Sequence, residues 1–500
     1  MVETGGSLPH EKLLYVAPSG ALIEEIAWVD PEAAFLPHAD TPMSLWLDSA
    51  DTHHEAARHS FIALAPYETL SVSGADAAKG LAMLEDKLAA HNALWADMPD
   101  AIDQCVPPFR GGAAGLFAYD LGFGLEKTFT DATRLEDGEP PAPAMSIGLY
   151  DTVLAFDHGA HRAFIIATGL PHKTPAARAD AARQTISRWQ KNLTGVPTQT
   201  LPAPSAPPRL AAPPRSNFSK AAYCRAVSDV VAHILAGDIF QANLAHRFSA
   251  QLAPEDNALS YYRRLRRMGA APFSSFFRLP DSAIASASPE RFLSMRNGLV
   301  ETRPIKGTQR RGATRQEDQA IAAALKASEK DRAENVMIVD LLRNDLAKNC
   351  RLNSIHVPQL CALESFSNVH HLVSTVQGRA NEHATPVRVL RDCFPGGSIT
   401  GAPKIRAMQL INLYEKTPRG ASYGSIGYIG FDGRMDTNII IRTAEIRDRH
   451  ISFHVGGGIV ADSEPQAEYN ETLNKARNLM AALGVDIDAL RDDENAGEVA

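Results

Sequence analysis

The apolar positions of this chain switch between two periods. Recurrence every three or four residues predicts helices over "AAKGLAMLEDKLAAHNAL" (77–94), "KAAYCRAVSDVVAHILAGD" (220–238, ending at Gly237) and "DRAENVMIVDLLRNDLAKN" (331–349). A last helix is predicted over "EPQAEYNETLNKARNLMAALG" (464–484), with Pro465 allowed in its first turn and Gly484 just past its end. Short apolar runs predict strands at "SLWLDSA" (44–50), "HSFIALAP" (59–66), "HRAFIIAT" (161–168), "IFQANLAHRFSA" (239–250), "TNIIIRTAEIRD" (437–448) and "HISFHVGGGIVA" (450–461). "GLVETRPIKGT" (298–308) reads as a short strand running into a glycine turn. Strands and helices do not alternate regularly enough for a doubly wound or barrel sheet, so the pattern predicts a mixed α+β fold.

The pattern breaks once, at "GVPTQTLPAPSAPPRLAAPPRSNFS" (195–219), whose prolines favour an extended, semi-rigid path across the surface. The expected organisation is an N-terminal region 1–195, a proline-rich linker 196–216, a catalytic region 217–485 and an acidic tail 486–500. Five hundred residues exceed what one simple core supports, so two lobes or one large composite body are expected.

Composition narrows the function classes. A net charge of −8 argues against a nucleic-acid binder, and the basic run "RRLRRM" (263–268) reads as a solvated helix face. No apolar run approaches the ~20 residues of a membrane span, and the N-terminus lacks the order of a secretory signal. Five dispersed cysteines without CxxC spacing suit reduced thiols, so a cytoplasmic enzyme is expected. "HHEAARH" (53–59) resembles a zinc-hydrolase motif but has Arg58 where the second ligand belongs, which excludes that reading.

Several segments could carry chemistry, and each also has a plainer reading. On the last helix Glu468, Glu471 and Lys475 share one face, as either a cation site or a solvated stripe. "GGGIVA" (456–461) formally fits a dinucleotide fingerprint. The strand continues beyond its glycines and the helix starts too late, so close approach of another ligand, or simple strand packing, remains. Glu334 lies on the apolar stripe of its helix, where a carboxylate must be paired, protonated or metal-bound. With Glu468 and Glu471 it makes an all-oxygen set suited to Mg²⁺. Arg442 and Lys404 could grip carboxylates or form ordinary ion pairs. Glu290 in "SPERF" could be a tuned acid or a turn residue, and His371 a hydrogen-bond donor or a core histidine. Lys306 in "TRPIKGTQRRG" could be a surface charge, an anion clamp or a nucleophile.

Taken in order, "GDIFQANLAHRF", "SPERF", "RPIKGTQRRG", "DRAENVMIVDLLRNDL", "VHHLVSTV", "FPGGSITGAPKIRAM", "GSIGYIG", "DTNIIIRTAE" and "VGGGIVADSEPQAEYNETLNKARN" resemble the chorismate-utilising enzymes over roughly residues 215–485. "WLDSA" and "FRGGAAGLFAYDLGFG" are similar to the N-terminal part of the aminating members. The resemblance implies a composite fold of two packed, roughly orthogonal β-sheets flanked by helices, with the site between them. It implies that Glu334 and Glu471 ligate Mg²⁺, with Glu468 beside it or acting through water, and that Arg442, Lys475 and the Gly456 and Gly458 backbone bind the carboxylates of chorismate. Glu290 would be the general acid for departure of the C4 hydroxyl, and His371 and Ser398 would orient the ring.

Hydrating members carry a lysine base where this chain has Gln241, which disfavours water attack at C2. Ortho-aminating members usually have alanine where this chain has Lys306, whereas para-aminating members have lysine there. The resemblance thus implies attack of the Lys306 amine at C2, then addition of ammonia at C4. That requires a neutral lysine, with its pKa lowered by burial or by nearby positive charge from a metal and the flanking arginines. Ser49 in "WLDSA" corresponds to a tryptophan pocket. Tyr423 stands one place later than a substrate-contacting tyrosine in relatives and is left out of the site. No cysteine lies in a glutaminase elbow, so ammonia would come from a separate glutamine amidotransferase or from free ammonium. The rival readings are ortho amination and a non-catalytic sensor of chorismate or tryptophan.

Overall fold

The computed structural model describes residues 14–51, 55–126, 129, 143–366 and 369–488. The expected acidic tail therefore lies almost wholly outside the described residues, as do the first two histidines of "HHEAARH". Strands gather into two antiparallel sheets of 13 and 10 strands, with helices packed against them, as an α+β fold requires. Both sheets are built across the proline-rich segment. In the larger one Leu45–Asp48 pairs with Phe273–Arg278, with Leu47 opposite Ser275. In the smaller one Gly112–Phe117 pairs with Ser425–Gly430, with Gly115 opposite Gly427. The N-terminal and C-terminal parts of the chain thus share both hydrophobic cores. The linker crosses this shared body as an extended strap: Pro197 accepts a hydrogen bond from the Asp30 amide, and Arg267 and Arg263 donate to the Leu201 and Pro202 carbonyls.

Helices form where the apolar spacing predicts, at Lys220–Leu235, Glu329–Ala347 and Pro465–Ala481, and each has a side-chain cap, from Ser219, Ser328 and Glu464. Three local expectations need correction. The arginines of "RRLRRM" are not a freely solvated face: Arg264 is buried on Asp256, and the half-buried Arg263, Arg266 and Arg267 surround Glu32, which is 1% exposed. Arg266 also pairs with the buried Asp48. A helix face this charged can be buried only because carboxylates distant in sequence neutralise it.

The run "TNIIIRTAEIRD" is not one strand. It breaks between Met435–Asn438 and Thr443–Arg447, and Arg442 closes the break with φ +52°. Nor does "RPIKGT" end in a turn. Leu299–Thr302 and Ile305–Arg310 both pair along Val369–Arg379, and the ladder shifts between Lys306 and Thr308 at Gly307, φ +79°. Gly307 is a β-bulge, a device that bends a strand and re-aims its side chains.

Candidate active site

Four elements converge where the glycine-rich strand His450–Ile459 runs beside Gln241–Gln251, with Gly458 opposite Asn243 and Gly456 opposite Ala245. The absence of side chains on that strand creates the space. A Cβ on Gly458 would lie 2.7 Å from Gln241 Nε2 and 3.3 Å from Lys306 Nζ. One on Gly457 would lie 3.1 Å from Glu468 Oε2, 3.8 Å from Lys475 Nζ and 3.9 Å from Glu471 Oε1. The bare backbone is therefore the common floor of the lysine and the carboxylates. Gly457, the middle glycine of the run, belongs to the site and was not singled out from the sequence.

Lys306 is held here by its bulge, since a Cβ on Gly307 would sit 3.0 Å from Cγ of Asp331 on the helix that carries Glu334. Burial pushes the Lys306 ammonium below the ordinary lysine range, with Lys475 adding to the effect, while Glu334, Glu290 and Glu471 oppose it. Two of the flanking arginines expected to help are neutralised: Arg303 is paired with Glu364, and Arg311 with Asp318. Glu290, 5% exposed, accepts a 2.8 Å hydrogen bond from Ser398 Oγ. Burial pushes its carboxyl up to about 7, against the lowering influence of Ser398, Lys306, the Ile305 backbone and Arg442. Arg442 is itself pushed down by burial and supported by Glu290. A carboxyl near 7 supplies an acid at neutral pH, and the lysine beside it gives up its proton more readily than an exposed one.

Gln241 is fully buried, and among the described residues neither its Oε1 nor its Nε2 finds a hydrogen-bond partner, as expected of an amide aimed into a binding site. His371 is buried, with Nδ1 2.8 Å from Thr308 Oγ1 and its ring edge-on to Phe366. Thr308, on the same strand as Lys306, is a second contributor that residue type alone does not announce. Lys404 is not available to a substrate: its ammonium bonds Asp345 at 2.7 Å and the Cys393 carbonyl at 2.7 Å.

The carboxylates present the donor set of a hard cation. Burial raises Glu334 and Glu468, and Glu471 raises each of them further. Glu471 itself is lowered by Lys475, which bridges it at 2.7 Å and the Gly456 carbonyl at 2.8 Å. Ser463 holds Glu468 Oε1 at 2.7 Å, and Lys330 lowers all three carboxylates. Among the described residues no group of three His, Cys, Asp or Glu side chains stands placed to hold a metal ion. Mutual repulsion between oxygen donors over a bare backbone nevertheless fits Mg²⁺, which keeps waters and substrate oxygens in its shell.

Away from this centre a cavity of about 330 Å³ lies beside Ser49, with Asp48, Arg291, Phe273 and Tyr428 on its walls. Ser49 Oγ donates to the His59 carbonyl at 2.5 Å. Tyr423 is buried with φ +65° and its ring 4.5 Å from the Arg419 guanidinium.

A family model described as chorismate binding enzyme matches residues 43–481. Aminodeoxychorismate synthase component 1 of Klebsiella aerogenes is 38% identical over 468 residues, covering 91% of this chain and 97% of that protein. The protein of the same name from Salmonella typhimurium is 40% identical over 463 residues, covering 91% and 96%. Among solved structures, anthranilate synthase component I from Streptococcus pneumoniae superposes with a TM-score of 0.69 at 30% identity, covering 84% of this chain and 92% of that one.

Proposed function

This chain belongs to the chorismate binding enzyme family, and from that premise we propose that it acts as the chorismate-aminating component of an aminodeoxychorismate synthase. The observation that carries the reading is the pairing of a depressed Lys306 with a raised Glu290 in one buried site, next to Gln241. The Lys306 amine attacks C2 of chorismate as the ring double bonds shift and the C4 hydroxyl leaves, protonated by Glu290, as water. Ammonia then adds at C4, the double bonds shift back, and the lysine departs from C2. The net change is chorismate plus ammonia to 4-amino-4-deoxychorismate plus water, the branch that leads to 4-aminobenzoate and folate.

Arg442 and Lys475, with the Gly456 and Gly458 backbone, bind the substrate carboxylates. His371 and Ser398 orient the ring. Gln241 offers an amide where a hydrating enzyme would need a base. Glu334 and Glu471 would hold Mg²⁺ with Glu468 beside it, and the ion would neutralise and orient the ring carboxylate.

The glutamine amidotransferase that delivers ammonia is a separate chain, as the name component 1 of the relatives suggests. The cavity beside Ser49 is the candidate tryptophan pocket, and titrating tryptophan during turnover tests it. Free cysteines among the described residues and the lack there of a helix able to cross a membrane support a cytoplasmic setting. Incubation with chorismate, Mg²⁺ and ammonium, followed by product identification, tests the assignment. We expect 4-amino-4-deoxychorismate; anthranilate would transfer the chain to anthranilate synthase component I, and isochorismate alone would overturn amination.

A further inference from the structure

A buried cation that the proposed chemistry does not use lies behind the site. Arg419 is 3% exposed, and its guanidinium lies between the rings of Tyr119 and Tyr423, 4.4 and 4.5 Å from their centres. Glu415 grips it at two points, through Nε at 2.9 Å and Nη2 at 2.6 Å. Its remaining donors reach two main-chain carbonyls on different elements: Nη1 to Ile399 at 2.9 Å and Nη2 to Asn243 at 2.7 Å. Ile399 follows Ser398, which bonds Glu290. Asn243 lies two residues from Gln241 and opposite Gly458. Glu415 completes the link by accepting the Ala245 amide at 2.8 Å.

We propose that Arg419, oriented by Glu415, is a positioning residue that fixes the Ser398 turn against the strand of Gln241 and thereby sets the Ser398–Glu290 hydrogen bond. A planar five-donor fork can hold a carboxylate and two carbonyls at once; an ammonium cannot do so in the same geometry. Of the two tyrosines, Tyr423 serves here as a ring beneath the guanidinium. The assignment rests on the reaction proposed above, but the test follows chorismate consumption and does not depend on which nitrogen product forms.

The groups facing Glu290 are Ser398, Lys306, Arg442 and the Ile305 backbone, and only the first is reached through Arg419. The experiment records kcat/KM for chorismate against pH in the wild type, Ser398→Ala, Arg419→Lys and Glu415→Gln. Ser398→Ala identifies the Glu290 limb by moving it upward about 1–2 pH units, the worth of one hydrogen bond to the carboxylate. Arg419→Lys is expected to move the same limb in the same direction, and Glu415→Gln to move it less. If Arg419→Lys does not fold, Glu415→Gln alone decides. A limb that stays at the wild-type position, with only a lower fraction of active enzyme, would overturn the assignment and leave Arg419 a packing residue.

Discussion

Replacing Glu290 with glutamine preserves shape and lets the amide oxygen still accept from Ser398, so it isolates the transferable proton. The structure sets the size of the effect. A carboxyl at its ordinary 4.5 would be about 0.3% protonated at pH 7, whereas at about 7 roughly half carries the proton. Burial thus raises the supply of acid by two orders of magnitude, a bias of about 3 kcal/mol. Glu290→Gln should lower kcat/KM by about 10²–10⁴, the usual worth of a positioned general acid. It should also erase the limb near pH 7 from a profile that belongs jointly to Glu290 and Lys306. Steady-state rates of chorismate loss at pH values on either side of about 7 provide the assay. A variant that keeps the limb near pH 7, or more than about a tenth of the activity, would refute the role of Glu290 as the acid.

Three further outcomes follow from the same geometry. Gly307→Ala forces a side chain into a left-handed bulge against Asp331, so it should cost about 1–2 kcal/mol in urea unfolding and lower kcat at least tenfold; unchanged kcat would show that the bulge does not aim Lys306. Glu334→Gln should raise the Mg²⁺ concentration for half-maximal activity about tenfold, read by Mg²⁺ titration at saturating chorismate, and no change would remove Glu334 from the metal set. Glu32→Gln leaves three arginines around a neutral side chain and should destabilise the fold by about 3 kcal/mol in equilibrium denaturation, whereas a loss below about 0.5 kcal/mol would mean the arginines are solvated after all.

Much of the candidate site was legible because each contributor sits in a contiguous segment with its own local pattern. A helix places Glu468, Glu471 and Lys475 on one face, and the bare glycines of the strand before it were visible as a place of close approach. Helix positions were legible for the same reason, since spacing and caps are local. What could not be read depends on partners remote in sequence. "RRLRRM" has the composition of a wet helix face, and only Glu32 and Asp48, more than 200 residues earlier, make it a buried network. The arginines beside Lys306 looked like its electrostatic support until Glu364 and Asp318 were seen to neutralise them. Gly307 and Arg442 mark a bulge and a strand break rather than a turn and a strand end, because neighbouring strands decide which residues keep the ladder. The sharing of both sheets by the two parts of the chain is likewise a matter of long-range pairing.

In the proposed reaction Lys306 forms a covalent bond to the substrate. Incubating the enzyme with chorismate and Mg²⁺ in the absence of any nitrogen donor, then quenching, digesting and mapping peptides by mass spectrometry, tests it most directly. We expect an adduct of chorismate less one water on the peptide containing Lys306, absent from Lys306→Ala and discharged when ammonium is added before the quench. Efficient 4-amino-4-deoxychorismate formation by Lys306→Ala, with no adduct on the wild-type lysine, would contradict it.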